Sequence, residues 1–84
     1  MWLAVDRVEE NTVVLMDDDE ITYHLSTQAY QALTHRAPAP NDVLQASVKD
    51  GQILSAVCDD GETQRRLAAA RARLERLINR QTKN

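Results

Sequence analysis

The sequence predicts an α+β domain: a five-stranded antiparallel sheet, rolled into an SH3- or OB-like barrel, followed by one long C-terminal α-helix. Three observations carry this. Short runs rich in Val, Leu and Ile recur between turn signals over residues 2–58. No strand–helix–strand alternation separates them, which argues against a parallel sheet. From Asp59 to Arg80 the pattern changes to helical period, with no Gly or Pro after Gly61.

Taken in order, residues 2–9 (WLAVDRVE) alternate imperfectly and read as a first strand. Glu9-Glu10-Asn11 is a turn, with Asn11 able to take a left-handed conformation. Thr12 to Met16 is rich in β-branched residues and reads as a second, more buried strand. Asp17-Asp18-Asp19 ends it. Glu20 to Leu25 alternates well and reads as a third strand, with Ile21, Tyr23 and Leu25 on one face. Ser26-Thr27 before QAYQAL predicts a short helix with a hydroxyl N-cap, from which Tyr30 and Leu33 pack inward. Pro38 and Pro40 then enforce an extended connector. Asp42 to Lys49 and Gln52 to Cys58 are the fourth and fifth strands, joined by Asp50-Gly51, a two-residue hairpin signal. An open five-strand sheet leaves two bare edges, so partial closure is expected.

The C-terminal helix reads DDGETQRRLAAARARLERLINR. Asp59 and Glu62 have capping-box spacing, with Glu62 expected to reach back to the Asp59 amide. The acids at its start and Arg76 and Arg80 near its end suit the helix dipole. Leu67, Ala70, Leu74, Leu77 and Ile78 fall on one stripe, and Arg65, Arg66, Arg73, Arg76, Arg80 and Lys83 on roughly the opposite side. The stripe is expected to be core, covering an open end or face of the barrel through Leu67, Leu74 and Leu77. On that expectation Leu74→Ala costs about 2–4 kcal/mol. The alternative is self-association, with the stripe meeting its copy in a dimer.

Eighty-four residues make a single domain, residues 1–58 as the barrel-like body and 59–82 as the helix. With no Phe and one Trp, the core must rest on Val, Leu, Ile and Ala. No apolar run approaches the ~20 residues of a membrane span. The N-terminus lacks a basic segment and a cleavage site, and Cys58 is the only cysteine, so a reducing cytoplasm is expected.

Charge is unevenly spread. Residues 1–62 carry three basic and twelve acidic side chains, whereas 63–84 carry seven basic and one acidic. Either this asymmetry forms a binding surface, or the basic helix lies on an acidic body and the fields partly cancel.

No catalytic or metal constellation emerges. His24 and His35 are far apart in sequence and distant from Cys58. Asp17-Asp18-Asp19-Glu20 lacks the spacing of a calcium loop and reads as an acidic turn. Ser26, Ser47 and Ser55 have no His/Asp context, and Cys58 has no basic neighbour in sequence to lower its pKa. Two glycines do not make a phosphate loop. The expectation is a protein that is not an enzyme and takes no cofactor or metal.

The pattern of Asp6-Arg7, Val13 to Leu15, Asp42-Val43-Leu44, Asp50-Gly51 and the Glu62 to Leu77 helix resembles a family of short bacterial domains of unknown function, over nearly the whole chain. Asn41 stands where that pattern has Gly, and the helix carries fewer acids. The resemblance implies this fold and no particular reaction.

Binding remains, and three readings follow. The first is a protein-interaction module whose partner is another protein. The second is an inhibitor of a nuclease, of the phage- or mobile-element-encoded, anti-CRISPR-like kind. Its acidic surface of Asp17, Asp18, Asp19, Glu20, Asp59, Asp60 and Glu62 would mimic nucleic acid. Residues 17–20 are there expected to lie on an exposed turn that tolerates charge reversal. The third is nucleic-acid binding through Arg65, Arg66, Arg73, Arg76 and Arg80. No membrane role is expected, and the chain is expected to be a monomer or a helix-mediated homodimer.

Overall fold

The computed structural model describes residues 1–82, for Gln81 and Thr82 the backbone only. The element order is β1 (Trp2–Glu9), β2 (Thr12–Met16), β3 (Thr22–Ser26), α1 (Thr27–Thr34), β4 (Val43–Lys49), β5 (Gln52–Cys58) and α2 (Asp60–Thr82). The strands form one antiparallel half-barrel sheet in the order β3-β2-β1-β4-β5, so β1 is central and β3 and β5 are the edges. With α2 following, this is the α+β architecture that the patterning predicts.

The inward positions alternate with the period of two that strand geometry imposes. Leu3 and Val5, Val13 and Leu15, and Leu44 and Ala46 come from β1, β2 and β4, and Ala56 joins them from β5. Two residues fall out of register. Asp6 is extra on β1 against β2, where the pairing steps from Val5↔Leu15 to Arg7↔Val14. Leu54 is extra on β5, where Ser47↔Ser55 gives way to Val48↔Ile53. Such bulges sharpen twist and help a sheet to roll.

Helix α1 touches both edge strands and so covers the side that the half-barrel leaves open. Ser26 caps it as expected, its Oγ accepting from the Ala29 amide at 3.0 Å. Tyr30 is 0% exposed at the centre of the core, and Leu33 packs beside it. His35 ends the helix in a left-handed conformation, its amide donating to Gln31 O at 2.8 Å. The proline connector returns to the sheet edge-on. Asn41 N donates to Val5 O at 2.9 Å and Val5 N to Asp42 O at 2.8 Å, prolonging the ladder past Ala4. Asn41 has φ 75°, a left-handed position that asparagine tolerates better than most side chains.

At the β4–β5 turn, Asp50 and Gly51 have φ of 53° and 77°, the paired positive values of a type I′ turn. A Cβ at Gly51 would meet nothing within 4 Å. Gly51→Val should therefore destabilise through backbone strain alone, by about 1–2 kcal/mol, with Gly51→Asn much milder. Equal melting temperatures for the Val variant and the native chain would refute this.

Asn11 does not take the left-handed conformation open to it; its carbonyl accepts from Thr27 N at 3.0 Å, fastening the β1–β2 turn to the start of α1. Two local expectations are corrected. Strand β3 begins at Thr22, not Glu20. Ile21 is 55% exposed rather than inward, because residues 17–21 close into a loop in which Asp17 N donates to Ile21 O at 3.0 Å. Glu20 carries φ 66° to make that closure.

The largest correction concerns α2. It does not cover the body along its length. Twenty-three residues make a helix about 34 Å long at 1.5 Å per residue. The molecule measures 51 × 24 × 21 Å, drawn out by this one element. Of the predicted core stripe, Leu74 is 57% and Leu77 55% exposed, Ile78 and Ala70 are exposed, and Leu67 stands at 36%. Leu74 is therefore not a core residue, and the loss of about 2–4 kcal/mol expected for Leu74→Ala does not apply.

Candidate functional site

The site is the junction where α2 leaves the sheet and the part of α2 that runs on beyond it. The junction is made of backbone and one hydroxyl. Asp59 N donates to Val43 O at 2.8 Å. Val43 N donates to Thr63 Oγ1 at 2.9 Å, and that hydroxyl donates to Asp59 O at 3.1 Å. Thr63 is the one buried polar residue among those described. Asp59 does cap the helix, its Oδ1 accepting from Glu62 N at 2.9 Å. The reciprocal half of the capping box is absent, because Val43 already holds the Asp59 amide. The Glu62 carboxylate, its side chain only 12% exposed, pairs instead with Arg65 and with Arg66, the latter at 2.9 Å.

Arg66 belongs to the junction and not to the solvent-facing basic side. It reaches Glu62, lies 3.5 Å from Asp18 and stacks 5.8 Å from the Trp2 ring centroid. Beside it, Leu67 and Ala70 overhang Ala4, Val5, Met16 and Val43. Together they line an open apolar cleft of about 260 Å³, with Asp6 and Asn41 at its margin.

Most of the acidic residues are already engaged within the chain. Asp17 is a structural residue. Its Oδ1 accepts from the amides of Asp19 and Ile21, both at 2.9 Å, and its Oδ2 from the Tyr23 hydroxyl at 3.1 Å. Partial desolvation, and after it the bond to Asp17, raise the Tyr23 pKa. Asp18 and Glu62 share Arg66. Asp60 is tied to Arg36 at 3.1 Å, and Asp59 is spent on the cap. Asp19 and Glu20 alone of the set are exposed without an ion pair among the described residues. The expectation that the whole turn tolerates reversal is thus corrected at Asp17. Asp17→Ala should cost about 1 kcal/mol or more through its lost amide bonds, while Asp19→Ala stays within about 0.5 kcal/mol. Matching urea midpoints for the two variants would contradict this assignment.

Cys58 is half-buried, with Sγ 3.6 Å from the Tyr30 hydroxyl. The Arg36 pKa is raised first by the bond to Asp60 and next by the charge of Cys58. Asp42 Oδ2 is buried nearby without a partner among the described residues. His24 and His35 are exposed on separate elements. No group of three or more His, Cys, Asp or Glu side chains is arranged to hold a metal among the described residues.

Beyond the junction, Arg73, Arg76 and Arg80 project with α2 and make no ion pair among the described residues. They border Leu77 in a shallow groove of about 230 Å³. Arg65 pairs with Glu62, and Lys83 lies outside the described residues. Arg71, not on the basic face read from the sequence, is exposed on the same stretch. The two predicted faces of α2 are thus real, but both are exposed on its distal half. A length comparison carries this signal in the sequence. Strands of five to eight residues span about 17–27 Å, too short to be crossed by a 34 Å helix without overhang.

No helix among the described residues is long and apolar enough to cross a membrane. Comparison of the chain with protein-family models, with characterised proteins and with solved structures gives no match, and nothing in it bears on the resemblance to short bacterial domains.

Proposed function

We propose that the chain is a non-enzymatic protein-interaction module that binds through the projecting end of α2. The observation that carries this is the exposure of Leu74 and Leu77, more than half open, on a helix whose first turns are anchored firmly to the sheet. Soluble domains seldom hold out apolar side chains at helical spacing unless something covers them. An amphipathic helix offered this way is a common recognition element. Flanking arginines Arg73, Arg76 and Arg80 favour an acidic or mixed partner and speed encounter.

A second reading, nucleic-acid binding, is favoured by the same unpaired arginines. It lacks stacking aromatics beside them, since Trp2 is engaged by Arg66 at the junction. Nucleic-acid mimicry draws on Asp19 and Glu20, the exposed members of the acidic set that no ion pair neutralises among the described residues.

The test is affinity capture with three immobilised forms: native, Leu77→Asp, and Arg73, Arg76 and Arg80 changed to Gln. Native chain should retain a protein that Leu77→Asp loses at least tenfold, with a smaller loss for the Gln form. Retention unchanged in Leu77→Asp would overturn the reading. Oligonucleotide binding with a log–log salt slope near −0.9 per phosphate contact, abolished in the Gln form, would install the second reading.

A further inference from the structure

From the placement of the apolar cleft and the apolar helix end, we infer that the partner of α2 is a second copy of this chain. Each α2 end seats in the other's cleft in an antiparallel two-fold dimer. This rests on the reading of α2 as the binding element and adds the identity of what covers it.

Three observations converge. The first is that the cleft and the helix end lie on one side of α2. Thr63, Leu67 and Ala70 face the sheet, and at 100° per residue Leu74 and Leu77 continue that same side past it. A body set beneath the free half of α2 therefore meets the face that the chain's own body meets on the first half. A two-fold axis passing near Ala72, perpendicular to the helix, supplies such a body.

The second is the match in size along the helix. That axis brings Leu67 against the partner's Leu77 and Ala70 against the partner's Leu74. Ala70 against Leu74 sets small opposite large, while Leu67 and Leu77 meet as two large side chains that extend the apolar lining of Ala4, Met16 and Val43. One helix end on one cleft is small beside the ~1,200 Å² of a specific interface. Two-fold symmetry makes the contact twice.

The third is charge. On the turn that follows Met16 of the cleft, Asp19 and Glu20 carry no ion pair among the described residues, whereas Asp6 at the margin is paired with Arg7 and Asp18 with Arg66. The incoming helix end carries Arg73, Arg76 and Arg80, none of them paired within its own chain among the described residues. The uneven charge of the sequence becomes complementary between copies, while Glu62 and Asp60 are already neutralised at home by Arg65, Arg66 and Arg36.

Sedimentation equilibrium on the full chain should give twice the 9.5 kDa chain mass. Leu77→Asp should give the single-chain mass and, compared at concentrations where the native chain is also monomeric, an unchanged melting curve, since Leu77 is 55% exposed on the free end of α2. The arrangement is read by mixing two single-cysteine forms in a Cys58→Ser background, Leu67→Cys and Leu77→Cys. A disulfide between the two different forms, well above either form with itself, is expected. A single-chain mass at every concentration overturns the proposal, as does 77–77 cross-linking equal to the mixed product, which a parallel pair would give. If the chain is monomeric yet captures another protein in a Leu77-dependent way, this inference falls and the interaction reading stands. If Leu77→Asp changes neither mass nor capture, both fall.

Discussion

Tyr30→Ala should be the most damaging single substitution in the molecule, lowering stability by about 3–5 kcal/mol. Tyr30 is fully buried and is the largest side chain in the core, which contains no Phe. It stands on α1 and shares one core cluster with Leu3, Val5, Val13, Leu15 and Leu44 of the sheet. Removing it deletes the ring and leaves a cavity at the point where α1 closes the half-barrel. Against a total of roughly 5–15 kcal/mol for a domain, that loss removes a large share of the stability and, at the lower end of the range, leaves a large unfolded fraction. Urea unfolding followed by far-ultraviolet circular dichroism measures it, and a midpoint within error of native would show that Tyr30 is not the keystone. Leu74→Ala, on the same plot, should move the midpoint hardly at all at concentrations where the chain is monomeric. The hydroxyl has a separate signature. Burial, and after it the bond to Cys58, raise the phenol's pKa above its ordinary value of 10. A raised folded-state pKa means that this contribution is fully present below pH 10 and is lost as pH climbs beyond it. Tyr30→Phe should accordingly flatten the alkaline fall of stability.

Thr63→Val should cost about 1–3 kcal/mol, although it is nearly isosteric and adds apolar surface. The valine leaves the buried Val43 amide without its acceptor and removes the hydroxyl's bond to Asp59 O. Thr63→Ser, which keeps the oxygen, should recover most of the difference. The consequence reaches the placement of α2, because this hydroxyl ties its first turn to β4. Amide exchange at Val43 is the direct probe: fast in the Val variant, slow in native and Ser. A Val variant as stable as native, with Val43 still protected, would show that the joint is held by something other than Thr63.

Much of the fold was legible because it is local. The ends of β1, β2 and β5 fall where period-two alternation meets turn chemistry, and β4 differs by one residue. Asp50-Gly51 takes the two positive φ values its side chains permit. Ser26 caps α1 through a bond spanning three residues. Each of these is decided by neighbours within a turn of chain. The misses share the opposite character. Glu62 does not complete the capping box because the Asp59 amide is taken by Val43, sixteen positions earlier. Ile21 turns outward because the Asp17 side chain organises its own loop instead of merely ending a strand. Arg66 leaves the basic face for Trp2 and Asp18, both far away in sequence.

The candidate site divides the same way. The sequence by itself determined that α2 is a helix with an apolar stripe and arginines opposite, since propensity and a 100° step settle both. It determined too that the acids lie in the body and the bases in the helix. Only the tertiary structure decided what those faces do. Periodicity says which side of a helix is apolar and nothing of what lies across from it. That depends on how far the rolled sheet extends, and here it ends near Ala70. The first turns of the stripe found a sheet to rest on, and Leu74 and Leu77, one further length of the same pattern, did not. Charge followed the same geometry: Arg66 reaches Asp18 on the body, whereas Arg73, Arg76 and Arg80 have passed its edge, and Arg65 pairs within the helix with Glu62.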